Sequence, residues 1–405
     1  MRILFVHSNF PAQFTHLAPA LAARGHQVAA IGSHTARAAG PVQPSTYRLK
    51  RGTTPNILPQ AVRYEADCIR GLAAAQVAQG LHERGFAPDF IFGHVGWGET
   101  QFLHDIWPAA TQALYAEYFV QPRGYDSNFD PEFVTPDFAR RAIAIAKNAS
   151  QAMCMTFAQR ALAPTQFQRD CYPALLREKI EVAHDGIDTG AAQPRPEARV
   201  TLPNGRVIAP GDEIVTHVNR SLEPLRGLHK FLRALPAVFA ARPAAQAVII
   251  GDSLGRSGYG LPPPRGKTWK DIFLEELGGG LDLSRVHFLG RVPRAVYLDV
   301  LACSAAHVYL TYPFVLSWSL LEAMSAQCLV IGSDTAPVRE MMTDGRNGVL
   351  VDFFDHAALA EAVITALAKP AAFRALRTQA RADIIAGYDL GPCLARQIAF
   401  VERLA

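Results

Sequence analysis

The sequence lacks the features that mark several protein classes. Its six cysteines are scattered without CxxC or Cys/His ligand spacing, so we expect neither a disulfide framework nor a zinc site. No window contains the ~18 uncharged apolar residues of a membrane span, and the apolar stretch in the N-terminal MRILFVHSNFPAQF is too short for a signal peptide. Basic residues form no run with interleaved aromatics, so nucleic acid is not an expected partner. We expect a cytoplasmic protein, with peripheral contact to the inner face of a membrane at most.

The residues that are present predict two α/β domains. At 405 residues, with 49% hydrophobic and 19% charged residues, the chain can bury two ordinary cores. Apolar strands alternate with helical patterns, beginning with RILFV, THLAPALAARGH and QVAAIG. Such near-continuous apolar strands are typical of parallel sheets covered on both faces. The net charge of +4 can favour anionic ligands or an acidic membrane surface.

A change in composition at residues 179–199, which are rich in Pro, Gly and small residues, divides the chain. The predicted parts are an N-terminal Rossmann-like domain, 1–185, a linker and hairpin, 186–213, a C-terminal Rossmann-like domain, 214–387, and a final helix, 388–405, that can pack back on the N-terminal domain. Asn204-Gly205 is the predicted hairpin turn, and Gly186 is the hinge candidate. Two open parallel sheets joined by a linker predict ligand sites at the carboxyl ends of the strands, facing a central cleft.

Some local predictions are more specific. In the first domain, QAMCMT (151–156) is predicted as a strand leading into a helix, FAQRALA, after a helix over 136–150. In the second, strands are predicted in IVTHVNR, AAQAVIIGD, RVHFLG, AAHVYLTYP, CLVIGSD and GVLVD. The stretch 253–280 is interpreted as an inserted loop around the helix KDIFLEEL.

The loop after the first strand of the second domain carries two arginines. Arg220 and Arg226 lie six residues apart, across a loop in which Glu223-Pro224 breaks regular structure. Two guanidiniums from one such loop can clamp a diphosphate and stabilise the charge on a departing phosphate. The alternative interpretation is two ordinary surface arginines.

The segment LTYPFVLSWSLLEAM offers a second candidate site. A helix beginning near Ser317, Trp318 and Ser319, after Leu316, would point its first amides and its dipole at an anion beyond the strand. Glu322 would then lie one turn inside, where its carboxylate could accept both hydroxyls of a ribose. The alternative is a capping box, in which Glu322 merely bonds the backbone amide of Ser319.

Other strand ends carry weaker candidates. Arg291 and Val292 follow VHFLG in a turn that can offer backbone groups to a nucleobase, or can be an ordinary βα turn. In the first domain, His94, Glu99 and Glu117 follow strands, where each is either a ligand-binding group or a structural hydrogen-bonding residue. The loop after the first strand has no G-x-G-x-x-G pattern, which argues against a dinucleotide fold.

The motifs of residues 214–370 resemble the family 4 retaining glycosyltransferases of the GT-B fold. They are the two arginines, VIIGD, VHFLGRV and SLLEAMSAQCLVIGSDTAPVREMMTDGRNGVLV, and MRILFVHSNFPAQF and HDGID resemble the family's first βα unit and linker. The resemblance implies transfer of a hexose from a nucleotide diphosphate-sugar, with UDP or GDP as the nucleotide, to a saccharide or lipid-linked acceptor. It implies retention at the anomeric carbon and no metal or cofactor.

The resemblance also implies roles for individual residues. Arg220 and Arg226 would hold the diphosphate, with Arg226 in place of the usual Lys, while Arg291 and Val292 flank the base and Glu322 binds the ribose. The E-x7-E motif would place its first Glu at position 314, but this chain has Phe314. We hypothesise that Glu117, near the place of a family His that touches the sugar, compensates for that missing carboxylate. This pattern resembles a bacterial subgroup with an atypical N-terminal half.

The acceptor side is less well defined. Ala12-Gln13 replaces what is often Gly-Gly, which reduces backbone freedom near the donor's phosphate or the acceptor. The loop 118–133, with Tyr118, Arg123 and Tyr125, can recognise a saccharide or a lipid-linked sugar, or can simply be a solvated loop. A nucleotide-sugar-binding pseudo-enzyme and a sugar-nucleotide epimerase remain alternatives to sugar transfer.

Overall fold

The computed structural model describes residues 1–134, 137–254 and 258–404. The chain divides into two compact units, Met1–Gly186 with Gly391–Ala405, and Ile187–Leu390. The chain changes unit after Gly186, whose φ of 90° lies in the left-handed region that favours glycine. Part of the predicted insertion at 253–280, and the first residue of the predicted helix over 136–150, lie outside the described residues.

The first unit is built on a parallel sheet of seven strands. They are β1 (Arg2–Val6), β2 (Gln27–Ser33), β3 (Pro44–Tyr47), β4 (Phe90–His94), β5 (Thr111–Tyr115), β6 (Arg160–Ala163) and β7 (Ile180–Val182). Their order is β3-β2-β1-β4-β5-β6-β7, so the strand order reverses between β1 and β4. Along β1, Ile3 and Phe5 pack into one apolar cluster and Leu4 and Val6 into another. Both faces of the sheet are therefore covered, as the continuous apolar strands predicted.

Helices cover this sheet, and one of them corrects a sequence-based prediction. They are α1 (Leu17–Ala23), α2 (Val62–Glu83), α3 (Leu103–Ile106), α4 (Phe138–Ala146), α5 (Ala149–Phe157), α6 (Gln166–Asp170) and α7 (Ala174–Arg177). QAMCMT lies in α5, not in a strand, and the strand is β6, the RALA of the segment predicted as a helix. The prediction was wrong because a short apolar run does not distinguish a buried helix from a strand.

The second unit repeats the pattern with six parallel strands. After a short antiparallel hairpin, β8 (Val200–Thr201) and β9 (Val207–Ile208), come β10 (Ile214–Ser221), β11 (Gln246–Asp252), β12 (Val286–Gly290), β13 (Ala306–Tyr309), β14 (Val330–Ser333) and β15 (Val349–Val351). All six predicted strands are confirmed, and Gly205 in the hairpin turn has a φ of 83°. Their order, β12-β11-β10-β13-β14-β15, is the doubly wound order of Rossmann folds. The strand order reverses between β10 and β13, which is where such folds bind ligands.

The helices of the second unit connect these strands. They are α8 (Leu228–Ala241), α9 (Trp269–Leu277), α10 (Arg294–Ala302), α11 (Trp318–Ser325), α12 (Ala336–Met341), α13 (His356–Ala368) and α14 (Arg374–Tyr388). Their apolar faces and the strands form a core of their own, which includes Val248, Leu320 and Ile384. The carboxyl ends of these strands and the N-terminus of α11 therefore extend from a packed apolar core.

The last helix, α15 (Leu390–Leu404), packs on the first unit. Its Phe400 ring lies 5.8 Å from the Phe92 ring, and Glu402 accepts a 2.7 Å hydrogen bond from Arg24 Nε. The sequence predicted that this helix starts at residue 388. In the structure Tyr388 is the last residue of α14, and α15 begins at Leu390. Within residues 1–134, 137–254 and 258–404, no helix combines the length and apolar character that a membrane span requires.

Candidate active site

The carboxyl edge of the second unit's sheet holds a cavity of about 430 Å³. It is lined by the ends of β10 and β11, the turn after β12 and the first turn of α10. The lining residues are Asn219, Arg220, Ile250, Gly251, Arg291, Val292, Arg294 and Tyr297. The structure thus brings together three residues that the sequence predicted, Arg220, Arg291 and Val292. Three guanidiniums in the lining suit an anionic ligand.

Arg220 is the exposed member of the predicted arginine pair. Its Nη1 donates to the Tyr259 hydroxyl at 2.7 Å, and its guanidinium lies 5.4 Å from the centre of the Tyr259 ring. Across the cavity, Arg291 Nη2 donates to Asp252 Oδ2 at 3.1 Å. Among residues 1–134, 137–254 and 258–404, the partner that holds Arg220 is the neutral Tyr259, which leaves the positive charge of Arg220 available to a ligand.

Arg226 is buried, with 7% of its surface exposed, and it bridges two strand ends. Nη1 donates to Thr311 Oγ1 at 2.9 Å, and Nη2 donates to the Val315 carbonyl oxygen at 3.0 Å. The next residue, Gly227, has a φ of 69°, and a Cβ there would come within 2.4 Å of Leu310 Cβ. The sequence placed Arg226 beside Arg220 in one clamp, whereas the structure ties it to the loop after β13.

Helix α11 begins at Trp318, with Ser317 as its N-cap. Ser317 Oγ accepts a 3.3 Å hydrogen bond from the Ser319 amide, and the Ser317 amide donates to the Tyr309 hydroxyl at 2.8 Å. Leu316, just before the cap, packs against the apolar core. The first amides of α11 therefore lie two to four residues after Val315, whose carbonyl holds Arg226.

Glu322 does not take part in a capping box. Its Oε1 lies 2.7 Å from Arg294 Nη1, and its Oε2 accepts a 2.7 Å hydrogen bond from the Tyr297 hydroxyl. The capping alternative is wrong because Ser319 lies inside the helix rather than at its cap. Burial, followed by the Glu322 charge, raises the pKa of Tyr297 well above its usual value. Each carboxylate oxygen keeps a lone pair for a further donor.

Sequence analysis missed Arg294 and Tyr297, which join Glu322 to the cavity. Both lie in the first turn of α10, three residues apart, so their side chains share one face of the helix. The signal was present in GRVPR, where Pro293 precedes the helix and the arginine begins it.

Position 314, where the E-x7-E resemblance predicts a carboxylate, holds a buried aromatic ring. Phe314 is 8% exposed, and its ring centre lies 5.6 Å from the Arg226 guanidinium and 5.4 Å from the Tyr259 ring. The ring thus packs against Arg226 itself and against Tyr259, the residue that holds Arg220.

In the first unit, the structure brings Gln13, His94 and Glu117 together at the carboxyl edge of the sheet. Glu117 Oε1 accepts a 2.8 Å hydrogen bond from Gln13 Nε2, and its Oε2 lies 3.3 Å from His94 Nε2. His94 Nδ1 accepts from the Gly96 amide at 3.0 Å, so Nε2 carries the ring proton, on the side of Glu117. Glu117 keeps 24% of its side chain exposed.

The two remaining candidates of the first unit are Ala12, in the segment after β1, and Tyr118, in the loop after β5. Ala12 has a φ of 42°, a left-handed conformation that glycine adopts more readily. The Tyr118 hydroxyl donates to Asp126 Oδ1 at 2.7 Å, so its hydrogen bond is made within its own loop. Burial raises the pKa of Tyr118 above its usual value.

For Glu99, the structural alternative is correct. The side chain is 1% exposed; Oε1 accepts hydrogen bonds from the Tyr47 hydroxyl, at 2.6 Å, and from Ser8 Oγ. Glu99 therefore anchors the loop after β1, which carries Gln13.

Comparison with protein-family models matches most of the chain to two models. Residues 24–192 match the model described as Glycosyl transferase family 4 group, and residues 212–369 match Glycosyl transferases group 1. The first match falls almost entirely in the first unit, and the second lies within the second unit.

Among curated proteins, two relatives are bacterial glycosyltransferases by name. The chain is 29% identical over 185 residues to D-inositol 3-phosphate glycosyltransferase of Nocardioides sp., covering 44% of this chain and 38% of that protein. It is 32% identical over 179 residues to phosphatidyl-myo-inositol mannosyltransferase of Mycobacterium leprae, covering 43% and 42%. The chain thus matches about two fifths of the length of these relatives.

Solved structures resemble the whole chain. Sucrose-phosphate synthase from Thermosynechococcus elongatus aligns over 100% of this chain and 99% of its own, with a TM-score of 0.74 and 18% identity. HepE from Anabaena, in complex with UDP and glucose, aligns over 100% of both chains, with a TM-score of 0.67 and 17% identity.

Proposed function

We propose that this chain, which has the GT-B fold and carries a family 4 and a group 1 glycosyltransferase domain, transfers a sugar from a nucleotide diphosphate-sugar to an acceptor. One observation supports the proposal above the others. Three arginines line a cavity at the carboxyl edge of the second unit, and two of the lining side chains, Arg294 and Tyr297, bond the buried carboxylate of Glu322.

The donor would bind to the second unit. Arg220 and Arg226 would hold the diphosphate together with the positive end of the α11 dipole, around Ser317, Trp318 and Ser319. The base would lie against the backbone of Arg291 and Val292, and Glu322 would use its remaining lone pairs for the ribose hydroxyls. UDP or GDP is the proposed nucleotide, and HepE, a structural neighbour, was solved with UDP.

The reaction would proceed with retention and without a metal. The anomeric C–O bond to the diphosphate breaks as the acceptor oxygen approaches the same face of the hexose. The leaving phosphate takes the proton of the acceptor's hydroxyl. The main task of the site is therefore to stabilise the negative charge that develops on the diphosphate. Fixed donors of the kind supplied by Arg226 lower such a barrier by about 2.7–4 kcal/mol each.

The first unit would supply the acceptor and sugar side. At the strand ends of that unit, Glu117 accepts a hydrogen bond from Gln13 and lies 3.3 Å from His94 Nε2, and its carboxylate can accept hydrogen bonds from the hydroxyls of a hexose. A saccharide or lipid-linked acceptor is proposed, and the name of the Mycobacterium leprae relative specifies a lipid-linked inositol.

A second candidate is a protein that binds nucleotide-sugars without transferring them, or that epimerises them. Phe314 favours it, because an aromatic ring stands where the resemblance predicts a sugar-binding carboxylate. Incubation with UDP-, GDP- and ADP-sugars, with and without saccharide acceptors, separates the candidates. We expect nucleotide diphosphate release that requires an acceptor, with an unchanged anomeric configuration by NMR. Binding without release would support a scaffold, and an isomerised donor would support an epimerase.

A further inference from the structure

Two arginines of helix α2 hold the turn that follows β4. Arg63 Nη2 donates to the carbonyl oxygen of Gly96, and Arg70 Nε donates to the carbonyl oxygen of Trp97 at 2.6 Å. The Arg63 guanidinium also lies 5.5 Å from the centre of the Trp97 ring. Two consecutive carbonyl groups of the turn therefore accept hydrogen bonds from one helix, at residues that lie about two turns apart.

A buried carboxylate orients both arginines. Asp67 is 2% exposed, and its Oδ1 accepts hydrogen bonds from Arg63 Nε, at 2.9 Å, and from Arg70 Nη2. A buried carboxylate needs such partners, because a charge is costly to bury alone. Gly98 lets the turn approach the helix this closely, since a Cβ there would come within 2.4 Å of the Asp67 carbonyl oxygen.

The same turn also contacts His94. The Gly96 amide donates to His94 Nδ1 at 3.0 Å, and His94 Nε2 lies 3.3 Å from Glu117 Oε2. In a neutral imidazole one nitrogen carries the proton and the other accepts, so the bond to Nδ1 leaves the proton on Nε2. Gly96 thus accepts a hydrogen bond from Arg63 at its carbonyl group and donates one to His94 from its amide.

We propose that Arg63 is a positioning residue for His94. Its guanidinium holds the turn in the place where the Gly96 amide meets Nδ1, so that the Nε2–H of His94 points to the side of Glu117. The effect on sugar transfer rests on the proposed function. The effect on the His94 ring does not, because the tautomer is measured without any substrate.

The alternative is that Arg63 only stabilises the packing of α2 on the first unit. Its loss would then lower the free energy of unfolding, but the His94 tautomer would not change in the protein that stays folded. The position of the ring proton therefore separates a positioning role from a purely structural one.

The first test reads the His94 tautomer from nitrogen chemical shifts of the full chain, with histidine labelled with nitrogen-15. The spectra are recorded at pH ~8.5, where an ordinary imidazole is neutral, and the signal is assigned by its loss in His94→Gln. We expect the Nε2–H tautomer alone in wild type. Arg63→Met, which keeps the length of the side chain and removes its donors, should give a mixture of both tautomers.

Two further variants complete this test. Arg63→Lys keeps a cation that can still donate to the Gly96 carbonyl group, so it should restore most of the Nε2–H tautomer. Arg51→Ala is the matched control, because Arg51 also bonds α2, through Glu65 Oε1 at 2.6 Å, and should leave the tautomer as in wild type. An unchanged tautomer in folded Arg63→Met, or a wild-type ring with its proton on Nδ1, would overturn the proposal.

Turnover gives the second readout. With a donor and acceptor that wild type uses, Arg63→Met should lower kcat about 10- to 100-fold, because a small misplacement of a positioned group has effects of this size. Its affinity for the nucleotide diphosphate should be unchanged, and Arg63→Lys should recover part of kcat. If wild type transfers no sugar, the proposed function fails, and the tautomers of wild type and Arg63→Met still decide the positioning role.

Discussion

The guanidinium of Arg226 donates from Nη2 to the carbonyl oxygen of Val315 at 3.0 Å. This bond fixes a buried positive charge two residues before the N-cap of α11, where the helix dipole adds to it. The charge is in place before any ligand arrives, so little reorganisation is needed when an anion binds. Such preorganisation is what stabilises a developing negative charge most effectively.

Arg226 should therefore affect both folding and turnover. Arg226→Ala removes a hydrogen bond from buried Thr311 and another from half-buried Val315, so we expect the free energy of unfolding to fall by about 1–3 kcal/mol. In the fraction that stays folded, kcat should fall about 10²- to 10³-fold. Urea unfolding and steady-state kinetics measure the two effects separately. Unchanged kcat in folded protein would limit Arg226 to a structural role.

Glu322 should recognise the ribose. Wild type is expected to bind UDP or GDP about tenfold more tightly than the 2′-deoxy analogue, because the Glu322 carboxylate accepts a hydrogen bond from the ribose 2′-hydroxyl. Glu322→Gln should lose most of this preference, whereas Tyr297→Phe, which removes a neighbouring bond and leaves the carboxylate, should keep it. Calorimetric titration of wild type and Glu322→Gln with both ligands gives the four affinities of a thermodynamic cycle, and Tyr297→Phe is titrated with the same two ligands as the control. An equal preference in wild type and Glu322→Gln would contradict the assignment.

Glu117 should act on the sugar rather than on the fold. Its side chain is partly exposed, so Glu117→Gln and Glu117→Ala should lower turnover about 10²-fold with little loss of stability. Gln13→Ala, the control, removes a neutral partner of the same carboxylate and should have a smaller effect. If both Glu117 variants keep wild-type turnover and donor affinity, the compensation hypothesis fails.

Ala12 offers a test of backbone strain. Since its φ of 42° disfavours any side chain, Ala12→Gly should raise the free energy of unfolding by about 0.5–1 kcal/mol. Ala20→Gly, in the regular helix α1, should lower it by about 1 kcal/mol. Denaturant titration compares the two, and a loss of stability in Ala12→Gly would show that the strained conformation is absent in solution.

The sequence predicted the sheets well because parallel strands buried on both faces leave continuous apolar runs, as in RILFV and AVIIGD. It failed at QAMCMT, where an equally apolar run is a buried helix. For the site, residue type and strand-end position identified Arg220, Arg291 and Glu322. They did not predict that Arg226 would turn toward Val315, or that Arg294 and Tyr297 would hold Glu322, because such contacts depend on tertiary packing across different strands.

Two buried histidines should make the second unit sensitive to acid. Burial lowers the pKa of His217 to about 4 and that of His307 to about 3. Below pH ~6.5 both histidines are protonated in the unfolded chain, whereas in the folded chain they stay neutral until the pH reaches their lowered pKa values. The free energy of unfolding therefore falls as the pH decreases below ~6.5. At pH 4.5 we expect a loss of about 2.5 kcal/mol per histidine. NMR titration of the ring protons checks this, and either ring titrating near pH 6.5 would contradict it.

The central claim is that Arg220 and its neighbours bind the diphosphate of a nucleotide-sugar. The most direct measurement is the affinity of Arg220→Ala for whichever of UDP, GDP and ADP binds wild type best, compared with the affinity for the corresponding nucleoside. We predict that the diphosphate binds about 10- to 100-fold more weakly and the nucleoside equally well. Arg265→Ala, an exposed arginine of the same unit outside the cavity lining, should change neither affinity. Equal diphosphate affinity in Arg220→Ala and wild type would contradict the account.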